Sequence, residues 1–309
     1  MFAWNRTRTG SWLHDIIRVA LVSRISTVEL ATWDGDPASP GHMAALEAGD
    51  VLFLPMSAFA VAPSELRLFS PGVAAAAKNV SFDTRTGRLG GTSLEGADRD
   101  CLRDLIARFS AAASRLVGRL LPAYRDRFEM GRTSFRPVEI AGRASSWRKD
   151  DTRLHIDSFP ATPVHGKRIL RLFSNVNPHG RARTWRLGED FESVARRFAP
   201  LLRLPLPGSG SLLRLLHVTK SRRSPFDALM LQLHDRMKAD DGYQAAAPQT
   251  QIDFPPGSTW VAFTDQVSHA AMAGQYQLEQ TFLVPVAAML DEQRSPLRIL
   301  ERLMARPLV

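Results

Sequence analysis

Phe254-Pro255-Pro256-Gly257-Ser258, running directly into Thr259-Trp260-Val261-Ala262-Phe263-Thr264 and then Asp265-Gln266-Val267-Ser268-His269, is the stretch that decides the fold. Two prolines, a glycine and a serine make a strong turn. The β-branched and aromatic run after them reads as a strand. A histidine just past such a strand is how the distal metal ligand of a double-stranded β-helix, or jelly-roll, barrel is presented. Its plain alternative is an ordinary hydrogen-bonded histidine at a strand end.

A second segment supplies the partners. In Leu154-His155-Ile156-Asp157-Ser158-Phe159-Pro160, residues 150–153 form a turn, and Leu154, Ile156 and Phe159 mark a short strand ended by Pro160. On a strand, side chains two apart share a face, so His155 and Asp157 point the same way. With eight histidines in the chain, one His-x-Asp is expected by chance, and the pairing with His269 is what gives it meaning. Two imidazoles and one carboxylate on one side of a metal suit non-haem Fe(II) and leave the opposite positions open for oxygen and an oxidisable co-substrate.

The bulk properties are compatible with this. The chain has 309 residues, 44% of them hydrophobic, enough for a large core in one large domain or two small ones. A lone cysteine, Cys101, excludes an internal disulfide and a cysteine-based zinc site and fits a reducing compartment; its leucine-rich setting makes it a small core residue. No apolar run is long enough to span a bilayer. Residues 12–22 read as a poorly ordered extension, the other possibility being an amphipathic segment on a membrane surface. Net charge is +9, and residues 131–186 alone carry twelve Lys or Arg against four acids. The basic excess therefore surrounds the candidate metal site, where it would concentrate anionic substrates.

Residues 1–44 are assigned to an N-terminal extension and 45–309 to the barrel domain. A turn and strand are expected at 49–55, short strands at 66–69 and 80–83, and a turn at 86–91. A long helix over 98–124 places Leu102, Leu105, Ile106, Phe109, Leu116, Val117, Leu120 and Leu121 on one face, as a sheet buttress would. Further helices are expected at 190–198, 225–238 (Ser224 as cap, Pro225 first) and 297–304. Strands are expected at 168–177, 212–219, 259–264 and 278–284, with 205–211 a loop that lacks the features of a phosphate cradle. The fold class is thus mainly β with buttressing helices around a jelly-roll core.

Around these motifs the sequence resembles the Kdo hydroxylase family, Fe(II)/2-oxoglutarate-dependent oxygenases of the 3-deoxy-octulosonic acid (Kdo) sugar of lipopolysaccharide. The resemblance is carried by residues 145–151 (SSWRKDD), Leu154-His155-Ile156-Asp157 with Phe159-Pro160, residues 168–178 (RILRLFSNVNP) and Trp185-Arg186. It continues through Phe254 to Trp260, residues 263–270 (FTDQVSHA) and Leu278-Glu279-Gln280-Thr281-Phe282. It extends from roughly Ala45 to the C-terminus.

The resemblance implies that His155, Asp157 and His269 bind Fe(II), with 2-oxoglutarate and O2 in the remaining positions. It implies Asp265 and Gln266 as residues that orient the ligand. The far carboxylate of 2-oxoglutarate needs a cation, preferably a bidentate Arg. Many relatives in the superfamily carry it about ten residues past the distal histidine, but here that region reads Tyr276-Gln277-Leu278-Glu279-Gln280-Thr281, with no Lys or Arg. Arg171, on a strand face shared with Asn175, is the first replacement, Arg183 the second and Arg168 the third. Arg136, Arg148, Lys149 and Arg186 are expected to meet the carboxylate and phosphates of Kdo-lipid A, and Trp185 to stack on the sugar. A lipid-linked substrate implies peripheral contact with the cytoplasmic face of the inner membrane. No nucleic-acid partner is expected. A 2-oxoglutarate oxygenase of nucleic acid or protein, or a metal-free jelly roll that binds anionic glycolipid, stands as the alternative.

Overall fold

The computed structural model describes residues 24–35, 41–75, 79–143 and 145–309; the 12–22 stretch lies outside them. Early in the chain come β1 (Ile25–Thr27), helix α1 (Gly41–Ala48), β2 (Val51–Leu54) and the hairpin β3 (Val80–Asp83) and β4 (Arg88–Gly90). Helix α2 (Gly96–Leu120) precedes β5 (Glu129–Arg136), β6 (Arg168–Asn175) and β7 (Arg183–Leu187). Four helices follow: α3 (Phe191–Phe198), α4 (Ser209–Leu215), α5 (Pro225–Ala239) and α6 (Asp241–Ala246). Last are β8 (Thr250–Phe254), β9 (Thr259–Phe263), β10 (His269–Ala273), β11 (Gln277–Val284) and helix α7 (Pro296–Met304).

Eight strands form one sheet in the order β1-β2-β9-β6-β11-β5-β3-β4, and three form a second, β10-β7-β8. Apart from the parallel β1–β2 pair, neighbours are antiparallel. Period-2 alternation gives the large sheet two apolar faces. Leu170, Leu172, Val261, Phe263, Leu278 and Phe282 pack on the apolar stripe of α2, including Leu105, Phe109 and Leu116. The buttress expected from the helical spacing is therefore present. On the other face Phe173 and Trp260 meet Trp185 and Phe254 of the small sheet; Phe254 and Trp260 stack at 4.1 Å. Two sheets face to face over an aromatic core, backed by helices, make the jelly-roll sandwich.

Several expectations need correction. The predicted strand at 212–219 is instead α4 and a following turn, since leucines favour helix over strand. Residues 66–69 lie at the end of a 3-10 turn, Pro63–Leu68, because Pro63 presets φ and the Glu65 carboxylate accepts from Ala62 N–H at 2.7 Å. The long helix stops at Leu120, where Pro122 cannot continue the ladder. Residues 88–90, read as turn, form β4. The segment before residue 45 supplies β1 to the large sheet and Trp33 to the core, so the packed unit reaches further toward the N-terminus than the expected boundary.

Candidate metal centre

His155 and His269 meet through the backbone before they meet through their rings. Each N–H donates to the other's carbonyl at 2.9 Å, an isolated antiparallel bridge that is the only strand-like pairing in 154–159. The expected short strand is thus reduced to one bridge, yet its alternation survives: Asp157 N–H donates to Thr264 O at 2.7 Å, and Leu154 and Ile156 turn into the helical core. His155 and Asp157 consequently project together, His155 Nε2 lying 3.9 Å from Asp157 Oδ1. One ligand atom from each of His155, Asp157 and His269 lies within 4.8 Å of the others, the one such cluster among the described residues.

The ring orientations suit a metal. His155 Nδ1 contacts Arg153 O at 2.7 Å and His269 Nδ1 contacts Val267 O at 2.8 Å. A carbonyl accepts only, so both Nδ1 atoms carry the proton and both Nε2 atoms keep a free lone pair, the tautomer a divalent metal needs. Trp185 stacks on His269 at 4.9 Å, and His234 of α5 meets the edge of His155 at 5.5 Å. Burial, reinforced by His269 and by the Lys238 charge, pushes His155 well below the ordinary histidine range; burial likewise lowers His269. For Asp157, burial works against ionisation, but the Arg171 guanidinium, helped by a hydrogen bond from Thr264, outweighs it and holds the carboxyl well below its usual range. Two neutral imidazoles and a carboxylate are the donor set of a ferrous site.

Buried polar atoms that lack a hydrogen-bond partner lie next to this set. Among the described residues Arg183 Nε and Trp185 Nε1 have no hydrogen-bond partner, and Asp157 Oδ2 and Arg171 Nε meet only each other, as an ion pair at 3.3 Å. Native interiors pair nearly all such groups, so a cluster of orphans marks where ligands sit.

The cations divide sharply. Arg171 has two carboxylates, Asp157 Oδ2 at 3.3 Å and Glu279 Oε1 at 3.1 Å. Arg136 is paired with Glu279 at 2.8 Å. Arg168 turns to the opposite face, where Asp265 takes it bidentately at 2.8 and 3.2 Å and Gln266 accepts from it at 2.6 Å. Asp265 and Gln266 therefore brace the turn before His269 rather than touch its ring. Arg183 is buried beside Arg136 and donates to Gly274 O at 2.6 Å, with no carboxylate of the described residues in ion-pair contact. Burial and the neighbouring Arg136 charge push its pKa down to about 9.

Other expected site residues fall elsewhere. Asn175 spends its amide on Arg181 O, Phe254 O and Asn177 N–H, which shapes the loop and leaves nothing for a ligand. Trp185 is enclosed between His269 and the aromatic core and cannot stack on a sugar. Arg148 and Lys149 are exposed, Arg148 lying over Trp147 and reaching Asp235 at 3.3 Å. Arg186 alternates to the outer face of β7.

A cavity of about 800 Å³ opens beside the cluster, with Arg136, Arg171 and Glu279 at its wall together with Arg85, Arg132, Lys220 and Phe159. The volume is that of a small-ligand site. Sequence reasoning did not reach Arg85, Arg132 or Lys220, since a cation far along the chain gives no sign of the cavity it joins. Glu279 was visible only as a missing cation.

The model of the 3-deoxy-D-manno-oct-2-ulosonic acid (Kdo) hydroxylase family matches residues 35–307. The chain belongs to the Kdo hydroxylase family. It is similar to the solved Kdo hydroxylase KdoO, a non-heme Fe(II) alphaketoglutarate-dependent dioxygenase. Against the cobalt(II) complex, identity is 43% over 93% of this chain and 98% of that one, with a TM-score of 0.90. Against the complex with alphaketoglutarate and Fe(III), identity is 42% over the same shares, with a TM-score of 0.89. The succinate and Fe(III) complex agrees equally well, at 42% and 0.89. No match is found among curated proteins. The matched span takes in β2 to β11 and both halves of the metal cluster.

Proposed function

We propose that the protein is an Fe(II)/2-oxoglutarate-dependent dioxygenase that hydroxylates Kdo, with His155, Asp157 and His269 as the iron ligands and Kdo-lipid A as the substrate. The observation that carries this is the convergence of these three side chains with both imidazole Nδ1 protons tied to backbone carbonyls. That arrangement has no purpose in a metal-free binder, where a lone pair left unpaired in a buried site would only cost stability.

Fe(II) bound there supplies O2 activation coupled to decarboxylation of 2-oxoglutarate to succinate. The remaining work belongs to the chain. Arg183 takes the far carboxylate of 2-oxoglutarate, because among the described residues it alone of the buried arginines around the cluster lacks a carboxylate in ion-pair contact. It sits two residues from Trp185 on β7, a spacing of about 7 Å along a strand, and Trp185 touches His269. Arg183 and Trp185 thus share the buried face of β7, the face that meets His269. Arg171 holds Asp157 ionised and oriented, and Glu279 keeps Arg171 and Arg136 in place. The basic cavity receives the sugar acid, with Arg132 and Arg85 on its wall to meet its carboxylate or a phosphate. The glycolipid places the enzyme against the inner face of the inner membrane as a peripheral protein; no helix among the described residues is long and apolar enough to cross a membrane.

Incubation with Kdo-lipid A, Fe(II), 2-oxoglutarate and O2, followed by mass spectrometry, should show one added oxygen on the Kdo unit. Succinate formed without any change to the glycolipid would refute the substrate assignment.

A further inference from the structure

Soluble surfaces scatter their exposed aliphatic side chains, and this one does not. Of eleven large hydrophobic residues exposed among the described residues, seven lie between Leu201 and Val218. The most open are Leu206 (80% exposed), Leu215 (74%), Leu216 (61%), Leu212 (55%) and Val218 (52%). Helix α4 is inverted relative to an ordinary surface helix: Leu212, Leu215 and Leu216, spaced to share one face, point outward instead of into the core. Residues 201–224 also carry Arg203, Arg214, Lys220, Arg222 and Arg223 and no acidic residue.

The segment is held firmly and beside the cavity. Gly210 is pressed against the 222–223 backbone, where a Cβ would come within 2.2 Å of Arg223 O. Lys220 N–H donates to Ala161 O at 2.9 Å, and Arg223 Nη2 donates to Pro160 O. Pro160, Ala161 and Lys220 all line the cavity next to the metal cluster. The apolar, basic ledge is thus continuous with the cavity wall.

We propose that residues 201–223 are a docking ledge for an anionic lipid bilayer, with the exposed leucines entering the interface and the arginines meeting headgroup phosphates. Apolar insertion combined with basic flanks is what holds a peripheral protein on an anionic surface. The inference rests on the reading above that the sugar to be hydroxylated is carried by a lipid: docking through this ledge would bring the cavity to the headgroup layer.

The test is co-sedimentation of the full chain with phosphatidylcholine vesicles and with vesicles containing phosphatidylglycerol, for wild type, Leu206→Asp/Leu215→Asp and Arg214→Glu. These positions are exposed, so folding should be retained, as circular dichroism will report. Wild type is expected to partition into anionic vesicles at least about tenfold better than into neutral ones. The double variant should lose about a hundredfold, since each inserted leucine is worth on the order of tenfold. Arg214→Glu should lose the preference for anionic lipid. Wild type that ignores anionic vesicles, or a double variant that binds as well as wild type, overturns the proposal. So does light scattering that shows a wild-type dimer dissolved by the double variant, since the ledge would then be a contact between copies. Turnover on detergent-dispersed Kdo-lipid A is read separately. Its absence beside intact vesicle binding counts against the hydroxylase reading and leaves the ledge supported.

Discussion

Replacing Arg183 by Gln tests the assignment that separates this chain from the usual pattern of its superfamily. The guanidinium is buried, has Arg136 for a neighbour and makes one hydrogen bond, to Gly274 O at 2.6 Å. Removing one partner of a buried, hydrogen-bonded charge pair costs about 2–5 kcal/mol of binding, which is roughly thirty- to several-thousand-fold in affinity for 2-oxoglutarate. The apoprotein should respond differently. Loss of one hydrogen bond, about 1 kcal/mol, is offset by relief of a positive charge that burial and Arg136 already disfavour. Apo stability should therefore shift little. The assay is anaerobic titration of the Fe(II)-loaded protein with 2-oxoglutarate, followed by the visible charge-transfer band, alongside Fe(II) binding by equilibrium dialysis. Arg183→Gln should weaken 2-oxoglutarate binding at least about thirtyfold with Fe(II) affinity unchanged. Arg171→Gln should disturb Fe(II) binding as well, because Arg171 holds Asp157. An unchanged 2-oxoglutarate requirement in Arg183→Gln, with a selective loss in Arg171→Gln, would refute the reasoning and return the role to Arg171.

Arg168→Met should destabilise the fold by about 3–5 kcal/mol by leaving Asp265 buried and unpaired, whereas Arg168→Met/Asp265→Leu should recover much of it; denaturant melts that rank the two equally would contradict the buried-pair account. The pH dependence follows from His155 and His269, whose folded pKa values lie below the ordinary 6.5. Below pH 6.5 the unfolded chain binds protons that the folded chain refuses, so apo stability should fall as pH drops from 7 toward 5. Asp157, depressed from 3.8, contributes its own loss only at more acidic pH. His155→Gln should flatten the first of these slopes, and a thermal melt series with an unaltered slope would show that the imidazoles are not buried neutral.

How much of this was legible beforehand differs by level. The turn-strand-histidine run at 254–269 and the apolar period of α2 were readable because each is a local pattern whose meaning does not depend on distant partners. The pairing of His155 with His269 was readable only as a convergence; the reciprocal backbone bridge that enforces it is a tertiary fact. The arginines were ranked by strand alternation, which correctly turned Arg168 away. Alternation says nothing of Glu279, which stands ten residues past His269 where the cation was expected, and Glu279 is what occupies Arg171. Residues 212–219 were misread as a strand because an apolar run with one charge is ambiguous in period. Its exposure, the property that gives it interest, is invisible in sequence.

The central claim is that three side chains, remote in sequence, form one ferrous site with room for 2-oxoglutarate. Anaerobic addition of Fe(II) and 2-oxoglutarate to wild type, His155→Ala and His269→Ala tests it most directly. Wild type should develop the weak visible band of a chelated 2-oxoglutarate at one iron per chain, and both variants should remain colourless while still folded. A band of undiminished intensity in either variant would contradict the account.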